Sequence, residues 1–230
     1  MARLAAEFVS RSPERRVVLV LGGARSGKSA YAQRLAQRSP PVLFVATATP
    51  GDAEMRVRIE AHRSARPSTW TTLEAPLSLA HAISARGIVR GTVLVDCLTL
   101  LVSNHLMAGT RGADAEPGDR EHLPNDVRVE EMVDVSSRIQ SEIHELLRVT
   151  ARAKANLVAV SDEVGMGIVP SYQSGRVFRD LLGMANQQLA GVADSVYLMV
   201  AGIPVDLKSL ASANEITGVE SGEAWGVPSD

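Results

Sequence analysis

The sequence predicts one α/β domain built on a mostly parallel sheet with helices on its flanks. Three observations predict it. Short, nearly continuous apolar runs alternate with stretches of helical periodicity, the pattern of repeated βαβ units. The first run, Val17-Val18-Leu19-Val20-Leu21, leads straight into Gly22-Gly23-Ala24-Arg25-Ser26-Gly27-Lys28-Ser29, a complete G-x-x-x-x-G-K-[ST] phosphate-binding loop. The chain has 230 residues, 45% of them hydrophobic, enough for one domain with a sizeable core.

In chain order the candidate strands are Val17–Leu21, Val42–Ala46, Thr92–Val95, Leu157–Val160 and Val196–Val200. Their unbroken apolar character suits strands buried on both faces. Helical patterns occupy the intervals, first from Ala30 to Gln37 and then at about Ala53–Ser64, Leu77–Arg86, Leu98–Met107, Val129–Ala153 and Gly175–Val192. Trp70–Glu74 reads as a further short strand. Residues 1–15 lack the apolar stretch and cleavage site of a signal peptide, and are expected to be a disordered lead-in to a domain over 16–208. Residues 109–126, GTRGADAEPGDREHLPND, are polar and rich in Gly, Pro and Asp, which predicts a surface-loop insertion rather than a domain boundary. Periodicity fades from Ser209, so 209–230 is expected to be an irregular tail. No internal repeat is visible.

A formal net charge of −2 offers no electrostatic footprint for nucleic acid or an anionic membrane. No apolar run approaches the roughly 18 residues of a spanning helix. The single cysteine, Cys97, excludes an intrachain disulfide and fits a reducing cytoplasm. Only three of the 24 basic residues are lysines (Lys28, Lys154 and Lys208), so the lysine in the glycine-rich loop is no by-product of abundance.

That loop carries the strongest chemical signal. Its glycines let backbone N–H groups close around phosphate oxygens, and the helix that follows presents its positive dipole end. Lys28 is placed to reach β and γ phosphates, and the Ser29 hydroxyl to ligate Mg²⁺. The strand Thr92-Val93-Leu94-Val95 ends in Asp96, where an enzyme of this kind keeps an acid near the nucleotide's metal ion; the plainer alternative is a helix cap. Asp162 and Glu163 end another buried strand and open a glycine-containing loop, either on the ligand side of the sheet or as a solvated turn. In Arg58-Ile59-Glu60-Ala61-His62-Arg63-Ser64-Ala65-Arg66-Pro67 a histidine stands among arginines near an expected helix end. Arginines there could hold phosphates and a neutral imidazole could act as nucleophile or base, or the turn could simply complement the helix dipole. His81, His105, His122 and His144 have no partner visible in the sequence, and Cys97 reads as a small packed residue.

Taken together and in order, GGARSGKS at Gly22–Ser29, Val45-Ala46-Thr47, the Arg58-Ile59-x-x-His62-Arg63 run, Leu94-Val95-Asp96-Cys97-Leu98-Thr99 and Asp162-Glu163-Val164-Gly165-Met166-Gly167-Ile168-Val169-Pro170 resemble a known family. It is that of the bifunctional adenosylcobinamide kinases/adenosylcobinamide-phosphate guanylyltransferases of cobalamin biosynthesis. The likeness runs from about Arg16 to Lys208, with Gly202-Ile203-Pro204-Val205 resembling the family's closing strand. It implies a single P-loop NTPase domain of the RecA-like kind, assembled as a homotrimer. It also implies two reactions: phosphorylation of adenosylcobinamide by ATP or GTP, then transfer of GMP from GTP through a histidine-bound intermediate. Carried over, the histidine is His62. Nucleotide contacts fall on Gly22, Gly23, Ala24, Arg25, Ser26, Gly27, Lys28 and Ser29, on Thr47, Ala48 and Thr49, on Arg63, Ser64, Ala65 and Arg66, on Glu74 and on Asp96. Members from enteric bacteria differ in carrying two adjacent histidines where this chain has Ala61-His62, and Asn and Glu in place of Asp162 and Asp96. A plain P-loop small-molecule kinase and a RecA-like ATPase coupled to a partner are the competing readings.

Overall fold

The computed structural model describes residues 15–49, 56, 60, 63–64, 66–87, 90–110 and 127–216. The apolar runs all become strands, being short, rich in β-branched residues and bounded by turns. The strands are β1 (Val17–Gly22), β2 (Val42–Ala46), β3 (Thr71–Glu74), β4 (Thr92–Asp96), β5 (Asn156–Asp162), β6 (Ser195–Val200) and β7 (Ile203–Asp206). They form one sheet in the order β3-β2-β4-β5-β1-β6-β7, parallel throughout except for the antiparallel pair β6–β7. The expected α/β class with a mostly parallel sheet is therefore present, and β5 separates β1 from the Asp96 strand in the RecA-like manner.

Alternate residues of the central strands feed cores on opposite faces. Leu19, Val45, Val93, Val95, Leu157 and Ala159 pack into the larger core, beside Leu101, Ile143, Leu146 and Leu181 from the helices. Val18, Val20, Phe44, Leu94, Val158 and Val160 face the other way, onto Ala32 and Ala36. The helices are α1 (Lys28–Ala36), α2 (Leu79–Arg86), α3 (Leu98–Gly109), α4 (Val129–Arg152), α5 (Gln173–Val192) and α6 (Leu207–Ile216). Most match the sequence expectation to within two residues. Of the expected helix Ala53–Ser64, Arg56, Glu60, Arg63 and Ser64 are described, and all four are helical.

α4 is the clearest case of sequence dictating structure. Val135, Ile139, Ile143, Leu146, Leu147 and Thr150 recur at helical spacing and form its buried stripe. Its first turn carries Glu130 and Glu131, favourable at the positive end of the dipole. The backbone N–H of Arg128 donates to Glu131 Oε2 at 3.1 Å, tying the entry of the helix. α5 begins two residues earlier than predicted because Gln173 ties it to the start of α4: Val127 N donates to Gln173 Oε1 at 2.9 Å, and Gln173 Nε2 donates to Val127 O at 3.1 Å.

One expectation is corrected. The stretch from Ser209, predicted to be irregular, continues as helix to Ile216. Asp206 starts this helix, its Oδ1 accepting from Lys208 N at 3.1 Å and Ser209 N at 3.2 Å, a cap that outweighs a weak apolar period. The lead-in to residue 14, most of the insertion (111–126) and the last residues from 217 lie outside the described residues. His105 also differs from expectation, since it has a partner: Nε2 lies 3.7 Å from Glu142 Oε2 on α4.

Candidate active site

The carboxyl ends of β1, β2, β4 and β5 open on one edge of the sheet, where ligands of open α/β sheets bind. The β1–α1 loop is shaped by its glycines. Gly27, the N-cap of α1, has φ +89°, a left-handed conformation that a side chain would strain. Gly22 meets a different limit: a Cβ there would lie 2.5 Å from Ser26 Oγ and 2.9 Å from Met199 O. The turn between β6 and β7 braces the loop from outside, with Gly202 N donating to Ser26 O at 3.0 Å.

Beside the loop lies a cavity of about 950 Å³. Ala24, Arg25, Ser26, Gly27, Lys28 and Ser29 line it on one side. Ala48, Glu74, Asp96 and Asp162 line it from the strand ends, and Arg56, Glu60, Arg63 and Arg66 from the segment after β2. Sequence reasoning thus identified residues far apart in the chain that the fold brings together. Lys28 Nζ donates to Gly23 O at 3.1 Å and pairs with Asp162 Oδ1 at 2.5 Å. Ser29 Oγ lies 3.5 Å from Asp96 Oδ1.

Register sets the two acids at different heights. Asp96 is level with Val160 on β5, while Asp162 is level with Gly22 on β1. Two residues of strand rise about 6.6 Å, so β5 carries its carboxylate well past that of β4. Asp96 is aimed at the start of α1 and Asp162 at the tip of Lys28.

Other expected contacts stand elsewhere. Thr47 is fully buried and its hydroxyl is committed, donating to Cys97 O at 2.7 Å and accepting from Cys97 N at 2.9 Å. Asn104 Nδ2 donates to Thr47 O at 2.9 Å, so α3 holds the strand ends that flank the cavity. Thr49 is exposed and does not line the cavity, and neither do Gly22 and Gly23. Ser64 is exposed, with its hydroxyl 3.4 Å from Glu60 Oε1. Glu163 braces its own loop, Oε1 accepting from Gly165 N at 2.6 Å. His62 and Ala65 lie outside the described residues.

Sequence reasoning missed the role of Phe44. The Arg66 guanidinium stacks on its ring, 3.6 Å from the centroid, and Trp70 stacks against the same ring at 6.4 Å. Partial burial lowers the Arg66 pKa; Asp96 and Glu74 raise it and Arg63 lowers it further. It remains a cation at the cavity wall. Burial also pushes the Cys97 thiol up to about 12, with Asp96 adding to the rise, so it is protonated and unreactive at neutral pH.

What the site can do follows from this inventory. Backbone amides, Lys28 and four arginines (Arg25, Arg56, Arg63 and Arg66) supply positive charge for a polyphosphate, and a hydroxyl beside a carboxylate supplies hard oxygens for a divalent cation. Among the described residues no helix is long and apolar enough to cross a membrane.

Comparison with known proteins agrees with this chemistry. The family model for cobinamide kinase / cobinamide phosphate guanyltransferase matches residues 18–207. The bifunctional adenosylcobalamin biosynthesis protein CobU of Escherichia coli (strain K12) is 40% identical over 192 residues, covering 84% of this chain and 99% of that protein. CobU of Salmonella typhimurium is 39% identical, again over 84% of this chain and 99% of its own length. CobP of Pseudomonas aeruginosa is 37% identical, over 83% of this chain and 96% of its own. Among solved structures, an ATPase from the type III secretion system of pathogenic bacteria superposes with TM-score 0.43 and 13% identity, covering 86% of this chain and 53% of that one. That likeness is too loose to bear on function. With a family model spanning nearly the whole described domain and relatives at this identity, the chain belongs to the cobinamide kinase / cobinamide phosphate guanyltransferase family.

Proposed function

We propose that one cavity serves both reactions of the family in this chain. In the first, ATP or GTP phosphorylates the hydroxyl of adenosylcobinamide. In the second, GTP gives up GMP through a covalent intermediate on His62, and the phosphorylated corrinoid takes the GMP to become adenosylcobinamide-GDP. The observation that carries this reading is the convergence of Lys28, Ser29 and Asp96 with Arg56, Arg63 and Arg66 on a single cavity. Arg63 follows His62 directly in the sequence.

A neutral imidazole has a lone pair with which to attack the α-phosphorus. The N–P bond forms as the bond to pyrophosphate breaks, and the electron pair leaves with pyrophosphate. An oxygen of the corrinoid phosphate then displaces the imidazole, so one difficult transfer becomes two easier ones. Lys28 and the arginines offset the charge that collects on the leaving phosphates.

Mg²⁺ fits the donor set. Ser29 Oγ and Asp96 Oδ1 are hard oxygens 3.5 Å apart, and this ion takes one or two protein oxygens with substrate phosphates completing its shell. When bound it would withdraw charge from phosphate oxygens. We place the enzyme in the cytoplasm as a homotrimer. Met166, Ile168 and Val169, at 76, 98 and 59% exposure on the loop after β5, give such an assembly apolar surface to cover.

The test is GTP labelled at the α-phosphate, supplied with Mg²⁺ but no corrinoid. One label should stay on each chain in a bond labile to acid and stable to alkali, with one pyrophosphate released. His62→Ala should take no label while His81→Ala, His105→Ala, His122→Ala and His144→Ala still do. Below about pH 6 the rate should fall, because the protonated ring has no lone pair. Label on another residue, or on the His62→Ala variant, would return His62 to a helix-end histidine.

A further inference from the structure

We propose that the Arg66 guanidinium, backed by the Phe44 ring, is the platform on which the purine base of the nucleotide stacks. The inference names the base subsite of the cavity. It rests on the proposed function for the nucleotide, and on this chain's geometry for the platform.

Arg66 Cζ lies 3.6 Å from the centroid of the Phe44 ring. That is contact distance for carbon, so no nitrogen can stand between the two, and the guanidinium lies flat on the ring. Phe44 is itself held: it is 2% exposed in β2, and Trp70 stacks against it with the planes 26° apart. Arg66 Nη1 donates to Thr72 Oγ1 at 3.4 Å, tethering the plane to β3 as well. Arg66 and Phe44 both line the cavity. Phe44 covers one face of the guanidinium, and the other is turned to the ligand space.

The donor atoms argue for a base rather than a phosphate. A guanidinium that grips phosphate presents its N–H edge. Here Nη1 is engaged by Thr72, and Nε is buried and has no hydrogen-bond partner among the described residues. What the cavity meets is the flat face, a surface on which nucleobases stack readily.

Register leaves room for the base. Phe44 is level with Thr72, and Ala46 with Glu74, so all four side chains stand on one face of the sheet. Ala46 and Glu74 are about 6.6 Å nearer the strand ends, where ligands bind. Ala46 is small and opens space above the platform, and Glu74 is exposed and lines the cavity beside it. Guanine carries two adjacent donors, N1–H and the N2 amino group, and a carboxylate accepts both. The phosphate loop follows β1, which is three strand spacings from β2, or about 14 Å. An extended nucleoside triphosphate spans that distance, with its terminal phosphate at Lys28 and its base on Arg66.

Inorganic tripolyphosphate has the phosphates of GTP and no base, and this makes the idea testable. Its binding and that of GTP, each with Mg²⁺, are measured by calorimetry on the same preparations. Arg66→Lys keeps the charge and removes the plane, while Phe44→Leu removes the ring beneath it. In both, GTP affinity should fall at least about tenfold more than tripolyphosphate affinity, the usual worth of a stacked base. Phe44→Tyr keeps the ring and should hold GTP affinity within about threefold of wild type. Retained tripolyphosphate binding certifies the phosphate loop, and Arg66→Lys decides alone where Phe44→Leu does not fold. Equal losses for the two ligands in Arg66→Lys would mean that Arg66 grips phosphate through its N–H edge, and would overturn the proposal. So would unchanged GTP affinity in that variant. The proposed function is judged separately, by whether the wild-type chain performs both half-reactions: phosphate transfer from γ-labelled ATP to adenosylcobinamide, and labelling of the protein by α-labelled GTP.

Discussion

Ser29 and Asp96 face each other across the mouth of the phosphate loop, and the pairing makes a prediction about division of labour. If the amides of the loop and Lys28 hold the phosphates, they do so whatever stands at position 96. Asp96→Asn keeps the shape and removes the charge, so turnover should fall about 100-fold while nucleotide Kd moves by no more than about threefold. Steady-state kinetics over a Mg²⁺ series, set beside calorimetric nucleotide binding, measures both. Wild-type turnover at ordinary Mg²⁺ would reduce Asp96 to a strand-end carboxylate. The residues of Gly22–Ser29 were legible in sequence because their spacing is itself the chemistry. Thr47 and Glu163 were not, because residue type does not say which way a side chain turns. The Thr47 hydroxyl turns inward to Cys97, and Glu163 turns back on its own loop. The stack of Arg66 on Phe44 joins residues from separate elements, and no local pattern announces it.

Three helices meet at Glu142. Its Oε1 accepts from Ala80 N at the start of α2, at 3.2 Å, and its Oε2 faces His105 Nε2 of α3 at 3.7 Å, too long for a hydrogen bond. Burial pushes the carboxyl up, yet His105 and the backbone N–H groups of Ala80 and Leu79 outweigh it, and the net pKa is lowered. A depressed carboxylate contributes stability that is complete above the ordinary Glu value of about 4.3 and is lost as pH falls through the folded value. Glu142→Gln should therefore melt below wild type at pH 7, and the gap should close in acid below about pH 4. A gap independent of pH would assign the loss to packing alone. Strands and long helices were readable from periodicity, which reports burial directly. α6 was missed because a helix whose start depends on one cap, Asp206, leaves little periodic trace. The Glu142 meeting point was invisible for a related reason, since its partners lie 37 and 62 positions away.

At the scale of the whole molecule, the core closes without the insertion. Described chain resumes at Val127, which is 5% exposed and pinned by Gln173. Replacing 111–126 with a short linker that keeps Val127 should leave Tm within about 3 °C and both activities in place, because loop-closure entropy changes slowly with length. Thermal melts and the two half-reaction assays decide it, and loss of assembly or of corrinoid binding would reassign the segment as an interface or lid. The two margins of the sheet carry a last consequence. β3 is four residues long, and β7 contains Pro204, which has no N–H to offer a further strand. Both margins are poor templates, so the chain resists polymerising by strand addition. Copies of it would meet through helices and loops rather than by joining strand edges.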